Sequence, residues 1–240
     1  MRDKRYGFTL IELTIALAFL SILLIAILTL TLAAGKMYVK GMTNKTVNQS
    51  GREIQDIMRR DFLAADRSRI SAVFTEGATG KTSGRICLGS VSYVWNTAGM
   101  LNDKDVDATN YQRHIRISAS EPVRFMRVTD VNSDLCVRNP VTNRYPTTIS
   151  VAPEGRAELL GGEGREFALY EMTIDPVIIE STRGMYRVRY TIGTNDIGTT
   201  EREGGSGYVR CKPDASATAN FDYCSVIDFD MMLRVEGGVR

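Results

Sequence analysis

Leu13–Ala34 contains no charged residue and only four polar ones, all hydroxyls. At about 1.5 Å per residue these roughly 22 residues reach across a bilayer core as a helix. A segment this apolar on every side has two stable homes, lipid or the interior of a helix bundle. Glu12 stands at its threshold, inside the run Gly7-Phe8-Thr9-Leu10-Ile11-Glu12-Leu13. A carboxylate there costs about 2.5–3.5 kcal/mol at the bilayer centre and less near an interface, so it needs a partner. A cut between Gly7 and Phe8 supplies one. The new α-amine lies four residues before Glu12, one turn away on the same helix face. Two simpler readings compete. An ordinary anchor would let Glu12 snorkel to the interface. A secretory signal would be cleaved after the apolar run, but that run exceeds the usual 7–15 residues and leads into more helix.

The string Gly-Phe-Thr-Leu-Ile-Glu-Leu resembles the class III signal of type IV pilins and type II secretion pseudopilins. The resemblance is concentrated in residues 1–40. It implies a prepilin peptidase that cuts after Gly7 and N-methylates Phe8. It also implies that Glu12, fifth in the mature chain, pairs with the terminal amine of a neighbouring subunit. Many major pilins carry a proline in the membrane half of this helix, and this chain has none.

The net charge of +2 comes from Arg2, Lys4 and Arg5 against Asp3, so the chain without its leader is near neutral. A neutral surface gives no general attraction for nucleic acid, and no specific nucleic acid is expected. The basic leader places the N-terminus in the cytoplasm and the rest beyond the cytoplasmic (inner) membrane. Lys36 and Lys40 oppose this mildly. Four cysteines, an even number in an exported region, point to disulfides. Three connectivities exist. Cys211–Cys224 closes a short polar loop and is favoured, with Cys87–Cys136 as the other pair. One histidine and no Cys-x-x-Cys argue against zinc.

Residues 1–7 are expected to be leader, 8–35 a transmembrane and assembly helix, 36–69 its amphipathic continuation, and 70–240 a β-rich extracytoplasmic domain. No proline interrupts Phe8 to about Arg69. Val47, Ile54, Met58 and Phe62, flanked by Ile57 and Ala65, form a stripe that would pack on a sheet. Gly35, Gly41 and Gly51 each weaken the helix by up to about 1 kcal/mol, and the first two could permit a bend at the membrane exit. Further on the period becomes two. Tyr186–Ile192 and Ile227–Val235 alternate as half-buried antiparallel strands. Further strands are expected at Ile86–Trp95, His114–Ser118, Val123–Val128, Thr147–Val151 and Phe167–Ile174. Loops are expected at Asn96–Asn110, Asn139–Pro146, Gly161–Gly164 and Glu203–Gly207. The fold class is α+β and pilin-like: a long helix on an antiparallel sheet.

The chain's 240 residues exceed the usual major pilin and are more like large minor subunits. Ile54–Arg67 is similar to the I-x-x-x-x-R-D-h-x-x-A segment of PilW-type minor pilins and J-type pseudopilins. Each of its charged residues alone also suits a solvated helix face. The resemblance implies a non-enzymatic subunit that primes assembly or sits at the filament tip. Its partners would be other pilin or pseudopilin subunits, the peptidase and an inner-membrane assembly platform, and no cofactor is expected. Alternatives are a minor pseudopilin of a type II secretion system, a pilin-anchored tip adhesin and an unrelated anchored enzyme. Asp228 and Asp230 are weak calcium candidates, because such loops bind calcium in some pseudopilins and calcium needs six to eight oxygens. Arg113, Arg116, Arg124, Arg127 and Arg138, with Tyr111 or Phe125, offer a basic patch that interspersed acids dilute. His114 reads as a strand residue and Trp95 as core. No motif supports nucleophilic catalysis.

Overall fold

A computed structural model of the chain describes residues 9–75, 82–102, 114–118, 121–162, 165–179, 183–196, 198–202, 208–213 and 223–236. Helix α1 (Leu10–Ala64) is unbroken. It starts at a capping box, in which Thr9 and Glu12 each satisfy the other's backbone N–H. It stops five residues short of the expected Arg69. Asp66 accepts the N–H of Ser68 at 3.0 Å and opens a separate 3₁₀ turn, Arg67–Arg69.

The strands follow in order: β1 (Ser71–Thr75), β2 (Ser83–Cys87), β3 (Val91–Asn96), β4 (Arg116–Ser118), β5 (Glu121–Pro122), β6 (Phe125–Thr129), β7 (Arg156–Glu158), β8 (Gly161–Gly162), β9 (Arg165–Ile179), β10 (Arg183–Thr194), β11 (Thr200–Arg202), β12 (Val209–Cys211) and β13 (Val226–Glu236). A short helix α2 (Ala98–Leu101) follows β3. One antiparallel sheet has the order β1-β2-β3-β6-β7 and a second has β13-β10-β9-β8. This is the α+β arrangement expected, a helical spine on antiparallel sheets.

Three expectations need correction. The single strand Ile86–Trp95 is a hairpin, β2 and β3, because Gly89 turns the chain at φ +98°. Thr147–Val151 forms only an isolated bridge, Thr148 to Arg116. Ile149 there acts as a buried plug. The expected loops at 96 and 161 also contain regular structure, namely α2 and β8, whereas 103–110 and 203–207 lie outside the described residues.

The helix stripe is buried as expected. Val47, Ile54, Met58 and Phe62 join Val188, Tyr190, Met231, Leu233 and Val235 of the second sheet in one core. That core also takes Ile86, Tyr93, Trp95 and Phe125 from the first sheet. Alternate residues of the first sheet point the other way. Val94, Met126 and Val128 meet Ile115, Leu135 and Ile149 in a second, smaller core. The first sheet is therefore covered on both faces.

Gly51 has a function beyond weakening the helix. A Cβ placed there would lie only 2.0–2.6 Å from three atoms of the Phe229 ring. The Gly51 carbonyl accepts the Tyr190 hydroxyl at 2.6 Å, and Tyr190 stacks on Phe229 with centroids 5.1 Å apart. The helix backbone thus rests directly on an aromatic pair contributed by β10 and β13.

Candidate assembly site on the N-terminal helix

The first half of α1 and the rest of the molecule are built differently. No residue of its apolar window is buried, and Leu10, Ile11, Phe19, Ile22 and Leu30 are among its most exposed side chains. This segment has length and composition to cross a bilayer. At its tip, Glu12 Oε2 accepts the Thr9 backbone N–H at 2.9 Å and the Thr9 hydroxyl at 2.8 Å. Thr9 Oγ1 in turn accepts the Glu12 N–H at 3.3 Å. The carboxylate is thus aimed back along the helix at its N-terminal end, where the dipole favours negative charge. Gly7 and Phe8, the expected cleavage and methylation positions, lie outside the described residues. Thr14, Ser21, Thr29 and Thr31 each donate their hydroxyl to a carbonyl three or four residues earlier, so the segment carries no unpaired hydroxyl donor.

The second half of α1 is clamped at both ends. Near the apolar segment, the Lys40 ammonium donates to the Cys224 carbonyl. Cys224 is bonded to Cys211, and Cys87 is bonded to Cys136. At the far end, the Asp61 carboxylate accepts Nε and Nη2 of Arg127 at 2.7 and 3.0 Å and also the Tyr93 hydroxyl. Tyr93 and Arg127 are directly opposed on β3 and β6, so the sheet register brings both to one point. Burial and the Asp61 contact push the Tyr93 hydroxyl above its usual range, and the same carboxylate raises Arg127. Asp61 belongs to the Arg-Asp motif, but it is a docking residue rather than part of a solvated face. Replacing it with asparagine removes a bidentate charge-assisted contact and leaves Arg127 without its anion. The expected loss is about 1–3 kcal/mol of unfolding free energy, read from denaturant unfolding in detergent. An unchanged midpoint refutes the clamp.

Buried tyrosines make the fold sensitive to alkali. Burial raises Tyr93, Tyr190 and Tyr170, the last to about 12. In the unfolded chain each ionises near pH 10. Their contribution is complete below pH 10 and is lost as pH rises from there through the folded-state values. Arg85, buried between the Leu135 and Pro146 carbonyls, is lowered to about 10 and has the opposite sign. Three tyrosines outweigh one arginine, so thermal midpoints should fall as pH rises from about 10 to about 11, the unit above the ordinary tyrosine value. A flat profile contradicts this.

The other candidates are scattered. Asp228 accepts the Thr191 hydroxyl at 2.5 Å and Asp230 pairs with Arg187. Among the described residues no group of three carboxylate, histidine or cysteine side chains gathers as a metal site. Arg127 faces the helix, Arg138 lies 4.9 Å from the Tyr145 ring centre, and Phe125 is in the core. Arg113 and Tyr111 lie outside the described residues. Arg127 is thus taken up at the helix rather than offered to the expected basic patch. His114 Nε2 lies 2.8 Å from the Met100 carbonyl, and Trp95 is buried.

Residues 2–30 match the family described as the prokaryotic N-terminal methylation motif. No curated protein and no solved structure matches the chain. The motif together with the long apolar helix fits a type IV pilin or pseudopilin, and with anchoring in the inner membrane before assembly.

Proposed function

We propose that this chain is a minor pilin subunit of a type IV pilus, one that starts assembly or occupies the filament tip. The observation that carries this reading is the capped, wholly exposed apolar half of α1 ahead of a firmly docked β-rich part. Residues 1–7 are the leader, and a prepilin peptidase cuts between Gly7 and Phe8 and methylates Phe8. Until assembly, residues 8–35 hold the subunit in the inner membrane. On assembly, the Phe8 amine and Glu12 carboxylate of adjacent subunits set the axial stagger of packed helices. In a low-dielectric bundle an unpaired member is expensive, so mispairing is penalised more than correct pairing is rewarded. The remainder, 36–240, stays outside the cytoplasm, where the pairs Cys87–Cys136 and Cys211–Cys224 persist. The chain itself contributes no catalytic step. Work comes from a separate assembly platform.

A minor pseudopilin is the second reading, favoured by the Ile54–Arg67 segment, which both relatives share. Mass spectrometry of the N-terminal peptide tests the common part. Protein from its native membrane or sheared surface fraction should begin at N-methylated Phe8, and Gly7→Ala should leave the leader attached. A chain that starts at Met1, or is cut near Ala34, removes both readings. Recovery in sheared filaments separates a pilus from a secretion pseudopilus.

A further inference from the structure

The second sheet buries one face against α1. Its other face carries a groove of about 300 Å³. The strand register sets two polar rows across it: Glu171, Thr191 and Asp228, then Thr173, Arg189 and Asp230. Both arginines of the groove are held by carboxylates. Arg187 holds Asp230, Arg189 reaches Asp175 at 3.0 Å, and the Thr191 hydroxyl donates to Asp228. An anion therefore meets arginines that are already paired, and among the described residues no group of three carboxylate, histidine or cysteine side chains gathers there for a metal ion. The matched pairs keep spare capacity, because a guanidinium has five N–H donors and a carboxylate about four acceptor sites. Such planar groups suit vicinal hydroxyls, which both donate and accept.

Two further observations point to a ligand of that kind. Tyr208 lines the groove and is 73% exposed as a residue, with an aromatic side chain that offers an apolar surface and a polar tip. The Thr173 hydroxyl oxygen, shielded from solvent beside Arg189, has no hydrogen-bond partner. A shielded hydroxyl left unpaired calls for an explanation, and a ligand hydroxyl entering beside the half-exposed Arg189 would satisfy it. We propose that this groove binds a neutral saccharide, with Tyr208 against the C–H face of a sugar ring and the Arg-Asp pairs and Thr173 on its hydroxyls. Concave shape, an aromatic wall and a few convergent polar groups are the general make-up of a small-ligand site. This activity goes beyond assembly and does not depend on it.

The test uses the full-length protein in a detergent without a sugar headgroup. It is applied to an array of neutral and acidic oligosaccharides, and the best neutral glycan is then titrated by calorimetry. Retention of a neutral glycan is expected. Tyr208→Ala and Thr173→Val should each weaken binding by about tenfold without moving the thermal midpoint. The proposal is overturned if no neutral glycan is retained or if retention survives both substitutions. It is also overturned if only acidic glycans bind and salt releases them, which would mean charge capture by surface arginines.

Discussion

Gly51→Leu should leave the β-rich part of the chain unfolded under conditions where the parent is folded. Two effects oppose each other at this position. Helix propensity favours any ordinary residue over glycine, by up to about 1 kcal/mol for alanine. Packing opposes it, because even the first carbon of a side chain would lie 2.0 Å from the Phe229 ring. Overpacking a core typically costs about 1–3 kcal/mol and occasionally more. Here relief is difficult, since Phe229 is stacked on Tyr190 and Tyr190 is tied to the Gly51 carbonyl. Even Gly51→Ala should therefore lower stability despite its better propensity, and leucine should exceed the usual range. Tyr190→Phe removes only the hydrogen bond and should cost about 0.5–1.5 kcal/mol. Near-ultraviolet circular dichroism and protease resistance in detergent separate the three, because an anchor helix in micelles stays helical throughout. A Gly51→Leu protein that melts like the parent would mean that the helix does not cross the sheet at this point.

Glu12→Ala should be cleaved and methylated normally yet be missing from sheared filaments, with at least about a tenfold drop in incorporation (on the order of 1.4 kcal/mol). The prediction follows from the proposed pairing of Glu12 with a neighbour's Phe8 amine. Alanine makes the anchor cheaper to hold in lipid, by up to about 2.5–3.5 kcal/mol, so membrane insertion cannot be the step that fails. The loss falls on the step where one helix recognises another. Thr9 keeps its backbone N–H and hydroxyl after cleavage, so the carboxylate remains oriented in the mature chain. Quantitative mass spectrometry of membrane and sheared fractions reads the result. Normal incorporation of the alanine variant would remove Glu12 from assembly.

Periodicity made the spine legible. Val47, Ile54, Met58 and Phe62 are buried where a 3.6-residue stripe puts them, and β10 and β13 alternate as their sequences do. Local patterns failed where both faces of a strand are covered. Ile86–Trp95 reads as one run because apolar residues point into two cores, and only Gly89 marks the turn. Thr147–Val151 has strand composition, but Pro146 and Pro153 flank a segment that fills a gap and pairs only at the Thr148–Arg116 bridge. The clamp at Asp61 could not be read from its own helix, because its partners are supplied by a cross-strand pair 32 and 66 residues away. Gly51 was visible as a weak helix position, but the reason for it lies in Phe229, at the other end of the chain.

The two grips on the second half of α1 have a mechanical consequence. Lys40 and Asp61 stand about 30 Å apart along the helix axis, at 1.5 Å per residue, one holding the entry to β13 and the other the first sheet. Between them the buried stripe lies along β13. A tug on the apolar end therefore loads the junction in shear along its whole length, so contacts must yield together rather than peel one by one. The spine works as a tow-bar, delivering traction from the N-terminus to both sheets at once.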